Sequence, residues 1–292
     1  MTGTNPDAPA TVSFELFPPK TEASEAALVR AVDQLAGAEP DYFSVTYGAG
    51  GSTRDRTARV VDMVGARTGR PVAQHLTCVG ASRDEIDRLA EGLHDKGISR
   101  IVALRGDLPD GQSLAPDGYG DAAELVAGLR RVADFDISVA AYPEVHPEAA
   151  SAQADLDHLK RKLDAGAARA ITQYAFDTDE VLRFVDRARA AGITAPIVPG
   201  IMPVTNFAGI KRFSAMCGAS VPDWLARMFD GLDDAPETRA MVATSVATEQ
   251  CRLLLDAGLS EFHFYTLNRP EVSLAVCRAL GLTPEITAES AA

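Results

Sequence analysis

Short apolar runs and amphipathic stretches alternate along the whole chain. Period-two alternation over 11–17, halted by Pro18 and Pro19, predicts a first strand. Apolar positions at helical spacing through Ala27, Leu28, Val32 and Leu35 predict a helix over 25–38, and a second strand follows at 41–47. A helix through Val60, Val61 and Val64 leads to a third strand at 71–78. The next helix, 82–96, opens on Ser82 and Glu85 with capping-box spacing. The apolar run 101–104 is a fourth strand, broken abruptly by Arg105-Gly106-Asp107 and the proline at 109.

The second half repeats the pattern, with helices at 120–133, 154–165 and 178–191 and strands at 137–143, 168–174 and 197–203. A helical insertion over roughly 207–230 precedes a helix at 235–257, an eighth strand at 261–267 and a closing helix at 273–280. Eight strands alternating with helices predict a (β/α)8 TIM barrel with an extra helical insertion between strands seven and eight. A doubly wound sheet also alternates, but it usually carries G-x-G-x-x-G after its first strand, where this chain has Phe17-Pro18-Pro19-Lys20. The expected organisation is a flexible tail over 1–11, one barrel domain over 12–282 and a C-terminal tail over 283–292.

Composition narrows the function classes. The 292 residues are 46% hydrophobic and 24% charged, and 28 Lys and Arg against 41 Asp and Glu leave a net charge of −13. Such a field repels phosphates, which argues against nucleic acid and anionic membranes as partners. Local cations and backbone N–H groups can still hold an anionic cofactor. No apolar run approaches the ~20 residues of a membrane span. The opening MTGTNPDAPA has neither the basic start nor the apolar core of a signal peptide, so a cytoplasmic protein is expected. Cys78, Cys217, Cys251 and Cys277 lack metal-type spacing and read as buried thiols.

Ligands of (β/α)8 barrels bind at the carboxyl ends of the strands. The predicted ends present Glu15, Thr46, Tyr47, His75, Thr77, Arg105, Asp107, Tyr142, Glu144, His146, Gln173, Tyr174, Leu267, Asn268 and Arg269. Glu15, inside Phe14-Glu15-Leu16-Phe17, reads either as a general acid kept protonated among aromatics or as a rim carboxylate paired with an arginine. Asp107 either tunes a cofactor or caps its loop. His75 has no second histidine beside it in sequence and reads as a hydrogen-bonded imidazole; no metal site is expected. His263 reads as core, and His94 and His158 as surface. The Gly48–Thr53 loop has the composition to lay N–H groups on a phosphate. Lys160, Arg161 and Lys162 read as a solvated face, and Phe207 and Phe213 either pack the core or stack on a planar ligand.

Taken together, several blocks resemble the bacterial, single-domain methylenetetrahydrofolate reductases: SFELFPPK from Ser13, SVTYG from Ser44, RDRT from Arg54, HLTC from His75 and IVALRGDLP from Ile101. ADFDISVAAYPEVHPE from Ala133, SAQAD from Ser151, MFDGLDD from Met228 and FHFYTLNR from Phe262 extend the likeness over about 12–282. The resemblance implies a (β/α)8 flavoprotein. NADH or NADPH would reduce FAD and leave, and 5,10-methylenetetrahydrofolate would then take the hydride, giving 5-methyltetrahydrofolate for methionine synthesis. It implies Glu15 as the general acid and Asp107 as the aspartate beside flavin and pterin. It further implies Thr46, His75, Leu104, Arg105, Gly106, Asp107, Tyr119, Gly120, Ala140, Tyr142, His146, Asp155 and Lys162 as FAD contacts. Glu15, Asp107, Tyr142, Gln173, Phe213, Leu267 and Arg269 would meet the folate or nicotinamide. A homo-oligomer, dimer or tetramer, is implied as well. The chain departs from the family at Gly48–Thr53, where an asparagine is often found, and at 110–118, where its loop is longer.

Overall fold

A computed structural model of the chain describes residues 10–47, 54–107 and 114–283. The Gly48–Thr53 loop, residues 108–113 and most of both expected tails lie outside the described residues. Nine strands and ten helices follow in order: β1 (Thr11–Leu16), α1 (Glu22–Ala36), β2 (Tyr42–Val45), α2 (Arg54–Thr68), β3 (Val72–Thr77), α3 (Arg83–Asp95), β4 (Arg100–Leu104), α4 (Ala122–Val132), β5 (Asp136–Ala141), α5 (Ala152–Asp164), β6 (Arg169–Thr172), α6 (Thr178–Ala190), β7 (Ile197–Val198), β8 (Gly200–Ile201), α7 (Phe207–Cys217), α8 (Asp223–Phe229), α9 (Pro236–Asp256), β9 (Glu261–Tyr265) and α10 (Pro270–Ala279). Helix starts follow their caps. Thr21 accepts from the Ser24 N–H to open α1, Ser82 and Glu85 form the expected box at α3, and Ser151 accepts from Ala154 at α5.

All strand pairs are parallel, in the order β7-β6-β5-β4-β3-β2-β1-β9-β8. The predicted seventh strand is two short pieces on either side of Pro199. β7 pairs with β6 and β8 with β9, so this stave joins the two edges and the sheet curls into the expected barrel. Proline has no N–H to donate, which divides the stave, but its carbonyl still accepts from the His263 N–H at 3.0 Å. Gly200 follows because the walls press in: a Cβ there would stand 2.1 Å from the Thr172 carbonyl oxygen.

Adjacent strand residues point to opposite faces, and this sorts the core into two layers. Phe14, Leu16, Phe43, Val45 and Phe264 turn outward and pack with the helices. The Phe14 ring is fully buried, 6.1 Å from that of Phe43 and 5.9 Å from that of Phe264, a burial that contributes about 1.5–3 kcal/mol. The inner layer is smaller: Tyr42, Ala73, Val102, Ile171 and Val198, with Leu104 against them. The Ser13, Glu15, His75, His263 and Tyr265 side chains share this inner side, so polar groups replace hydrocarbon there. The insertion after β8 resolves into α7 and α8. Phe207 is buried and stacks on Phe229 at 5.5 Å. The Ser220 N–H donates to Glu144 Oε2 at 2.9 Å, clipping the insertion to the loop after β5. Among the described residues no helix is long and apolar enough to cross a membrane.

Candidate active site

The site is built outward from the end of β4. Pairing continues past the strand, with the Cys78 N–H donating to the Leu104 carbonyl at 3.3 Å and the Val79 N–H to that of Arg105 at 2.9 Å. The β3–α3 connection is thereby pressed onto Gly106, where a Cβ would lie 2.6 Å from Val79 Cγ1 and 2.9 Å from Thr77 Cβ. Gly106 also has φ +88°, so close approach and backbone conformation both require glycine. Arg105 pairs with Glu148 at 2.7 Å, and Asp107 stands exposed where two cavities meet. Burial pushes the Cys78 thiol up to about 11, making it an unreactive neighbour.

The first cavity, about 510 Å³, runs from this turn to α5. Asp155, His158 and Lys162 share one face of that helix at i, i+3 and i+7. Lys162 is buried, unlike Lys160 and Arg161 beside it, so the solvated-face reading fails for this lysine. Its Nζ donates to the Ala140 carbonyl at 2.5 Å. Burial lowers its pKa to about 8 against the pull of Asp155 and Asp121. Asp155 Oδ2 accepts from the His146 N–H at 2.9 Å. The Glu148 N–H donates to His146 Nδ1, which sets that ring's acceptor, and Tyr142 meets the ring edge-on at 4.5 Å. His158, expected at the surface, lines the cavity with a buried Nε2 that has no hydrogen-bond partner among the described residues. Its nearest carboxylate, Asp121, is 3.6 Å away and takes Arg161 at 3.0 Å.

The second cavity, about 560 Å³, occupies the barrel mouth. Glu15 enters it from β1 with about a fifth of its side chain exposed. Its surroundings differ from those expected. Phe14 and Leu16 point away into the helix layer, and the ionisable groups beside the carboxylate are His75 Nε2 at 3.5 Å and His263 Nε2 at 3.9 Å. Burial, opposed by the charge of Glu15, lowers His75 to about 4, so its imidazole is neutral at pH 7. Among the described residues its Nε2 has no hydrogen-bond partner of good geometry. His263 is fixed from beneath by Ser13 Oγ, 2.7 Å from Nδ1. Burial and the Glu15 charge raise Tyr265 well above its ordinary value, and its hydroxyl donates to the Thr172 carbonyl at 2.7 Å. Phe213 and Met216 overhang the opening from α7, about 48% and 79% exposed.

The cavities share Tyr47, Leu104, Asp107, Ala140, Tyr142, His146 and Glu148, and so form one groove. Of the residues singled out from sequence, Leu104, Arg105, Gly106, Asp107, Ala140, Tyr142, His146, Asp155 and Lys162 line the first cavity. Glu15, Thr46, His75, Gln173, Phe213 and Leu267 line the second. Three stand outside both. Tyr119 is buried in the helix layer over Gly128, its hydroxyl donating to Asp87 at 2.6 Å. The Gly120 N–H turns to Glu124, and Arg269 is the N-cap residue before α10. Asn268 serves structure: its side-chain amide brackets the Phe17 N–H and carbonyl, tying β1 to the loop after β9. Sequence reasoning missed His263, His158 and Arg161. Strand parity with Tyr265 was a signal for His263, and helical spacing from Asp155 was one for His158.

Residues 4–281 match the family described as methylenetetrahydrofolate reductase. Similar curated proteins include the 5,10-methylenetetrahydrofolate reductase of Pectobacterium carotovorum subsp. carotovorum, 52% identical over 275 residues, covering 94% of this chain and 91% of that protein. The enzyme of the same name from Escherichia coli strain K12 is 53% identical over 273 residues, with the same coverage. Among solved structures, one described as an uncharacterized protein from Clostridium thermocellum that binds two copies of 5-methyl-5,6,7,8-tetrahydrofolic acid superposes with a TM-score of 0.64. It covers 94% of this chain and 95% of its own at 15% identity, a likeness of fold.

Proposed function

Since this chain belongs to the methylenetetrahydrofolate reductase family and is thus an oxidoreductase acting on methylenetetrahydrofolate, we propose that it works as a cytoplasmic flavoenzyme. In this reading NADH or NADPH reduces FAD and leaves before 5,10-methylenetetrahydrofolate enters, and 5-methyltetrahydrofolate for methionine synthesis is the product. The observation that carries it is the continuous groove, which holds Arg105, Arg161 and Lys162 at its α5 end and reaches the Glu15 carboxyl at the other.

The residues present fit FAD. Three buried polar atoms on the groove wall, His75 Nε2, Thr77 Oγ1 and His158 Nε2, have no hydrogen-bond partner among the described residues and suit hydrogen bonds to a ligand. Lys162, Arg105 and Arg161 supply charge for a diphosphate. Leu104, Ala140 and the Tyr142 ring give a flatter, less polar wall toward the mouth. Bound there, FAD would supply a two-electron carrier between nicotinamide and folate.

The protein's own groups do the remaining work. Glu15, presented by a rigid strand, is the proton donor to N10 of the folate, which opens the imidazolidine ring to a 5-iminium cation. Neutral His75 beside it adds no competing positive charge. Asp107, at the junction of the cavities, favours that cation and disfavours extra electron density on the flavin. Gln173 is an amide donor and acceptor for the pterin, and Phe213 a ring to cover it.

The test is anaerobic. FAD-loaded protein should lose its visible flavin band on addition of NADH or NADPH and regain it on addition of methylenetetrahydrofolate. Glu15→Gln should still bleach, but band recovery should slow by about 10²–10⁴-fold. Recovery at the wild-type rate would remove Glu15 from the acid role, and protein that takes up no flavin would overturn the whole reading.

A further inference from the structure

Helix α7 carries Phe213 and Met216 over the barrel mouth, and the loop after β5 forms a wall common to both cavities. The two meet along a seam that the proposed chemistry does not use. At the end of α7, Gly218 lies so close to Pro147 that a Cβ there would stand 2.6 Å from the ring Cγ. Two residues on, the Ser220 N–H donates to Glu144 Oε2 at 2.9 Å, and the Ser220 hydroxyl donates to Oε1. One carboxylate thus holds the chain just beyond the helix by both of its oxygens.

The wall side of the seam is strained. Val145 has φ +73°, a left-handed conformation that a β-branched residue seldom adopts. Such a residue persists only where its surroundings fix it. Here Glu144 is held by Ser220, the His146 N–H by Asp155 Oδ2 at 2.9 Å, and the Pro143 carbonyl by Arg187 at 3.1 Å. The turn sends Glu144 to the loop after α7 and His146 to the groove. A single residue therefore separates a groove contact from the anchor of the covering helix. The rest of α7 has attachments of its own: Phe207 stacks on Phe229 at 5.5 Å, and Ser214 Oγ is 3.1 Å from the buried Tyr174 hydroxyl. These keep the helix on the barrel without Glu144.

We propose that Glu144 is a positioning residue: through Ser220 it sets α7, and with it Phe213, over the groove, and through Val145 it ties that setting to what the groove holds at His146. The inference rests on the function proposed above. Coupling between two places needs an element that both of them bias, and the turn from Tyr142 to Glu148 touches both. Registration matters for hydride transfer, where a misplacement of about 1 Å costs on the order of 10²-fold in rate. In a ping-pong order the demand comes twice, because the cover must return to the same place after each exchange of substrate.

Amide hydrogen exchange on FAD-free and FAD-loaded protein reads this coupling without turnover. FAD should slow exchange over 210–220 by about tenfold in wild type and leave it nearly unchanged in Glu144→Ala. Glu144→Gln, which keeps an acceptor for the Ser220 N–H, should retain most of the effect. At saturating substrate, flavin bleaching and band recovery in Glu144→Ala should each slow about tenfold, with FAD affinity and melting temperature near wild type. A merely structural contact would instead lower the melting temperature and speed exchange equally with and without FAD. Ser220→Ala, which removes only the hydroxyl donor, gives an intermediate result and decides the matter if Glu144→Ala fails to fold. Protection by FAD that survives in Glu144→Ala, or half-reactions at the wild-type rate in that variant, overturns the positioning role. A wild type that takes up FAD but completes neither half-reaction overturns the proposed function instead, and the exchange comparison then decides the coupling alone. Protein that takes up no FAD overturns both.

Discussion

Lys162→Met separates what the protein gives up to build a cationic pocket from what a ligand returns. The lysine is 6% exposed, and its pKa falls from the ordinary 10.5 to about 8, chiefly through burial. At 1.36 kcal/mol for each power of ten, the ammonium costs the ligand-free fold about 3 kcal/mol at pH 7. Between pH 8 and 10.5 the unfolded chain keeps a proton that the folded one has released. Ligand-free stability from this group therefore rises with pH across that window and is flat below it. Lys162→Met should abolish the rise and, at pH 7, lift the melting temperature of flavin-free protein, on the order of 5 °C. Flavin binding should move the opposite way. Losing a buried cation that faces a diphosphate costs about 3 kcal/mol, roughly a 150-fold weaker Kd, read by quenching of flavin fluorescence. A variant that melts lower without ligand and binds FAD as tightly as wild type would refute both the burial cost and the phosphate role.

Gly106→Ala should destabilise the protein by about 2–4 kcal/mol in urea titration, since it adds a contact at 2.6 Å to a residue at φ +88°. Adding Val79→Ala should recover only part of this, because the backbone strain stays. Asp107→Asn should speed flavin reduction by NAD(P)H and slow reoxidation by methylenetetrahydrofolate in stopped flow; an unchanged ratio of the two rates counts against its electrostatic role.

The local pattern contained the alternation of strands and helices, the capping box at Ser82 and Glu85, and the turn at Gly106, because each is written in residues close in sequence. It did not contain closure. The split at Pro199 arises because β7 and β8 face different neighbours, which only the assembled ring decides. Glu15 shows the same limit. Its sequence neighbours are aromatic, but its spatial neighbours are histidines of β3 and β9. Lys162 looked like one of three surface cations until helix packing buried it, alone of the three, in the groove wall. Parity and helical phase, applied to polar residues as strictly as to apolar ones, find His263 and His158.

The lateral bond between β1 and β9 bears on how the molecule comes into being. Ser13 and His263, 250 positions apart, are strand partners that share a side-chain hydrogen bond, and Glu15 belongs to the same seam. During synthesis the first strand waits with one edge open until nearly the last is made, a closure of high contact order and so a late event in folding. A nascent or clipped chain short of β9 has Glu15 without the wall that confines it. Catalytic competence is therefore a report of ring completion, and a lesion at Gly200, which packs behind Tyr265, can silence the enzyme by leaving the ring ajar.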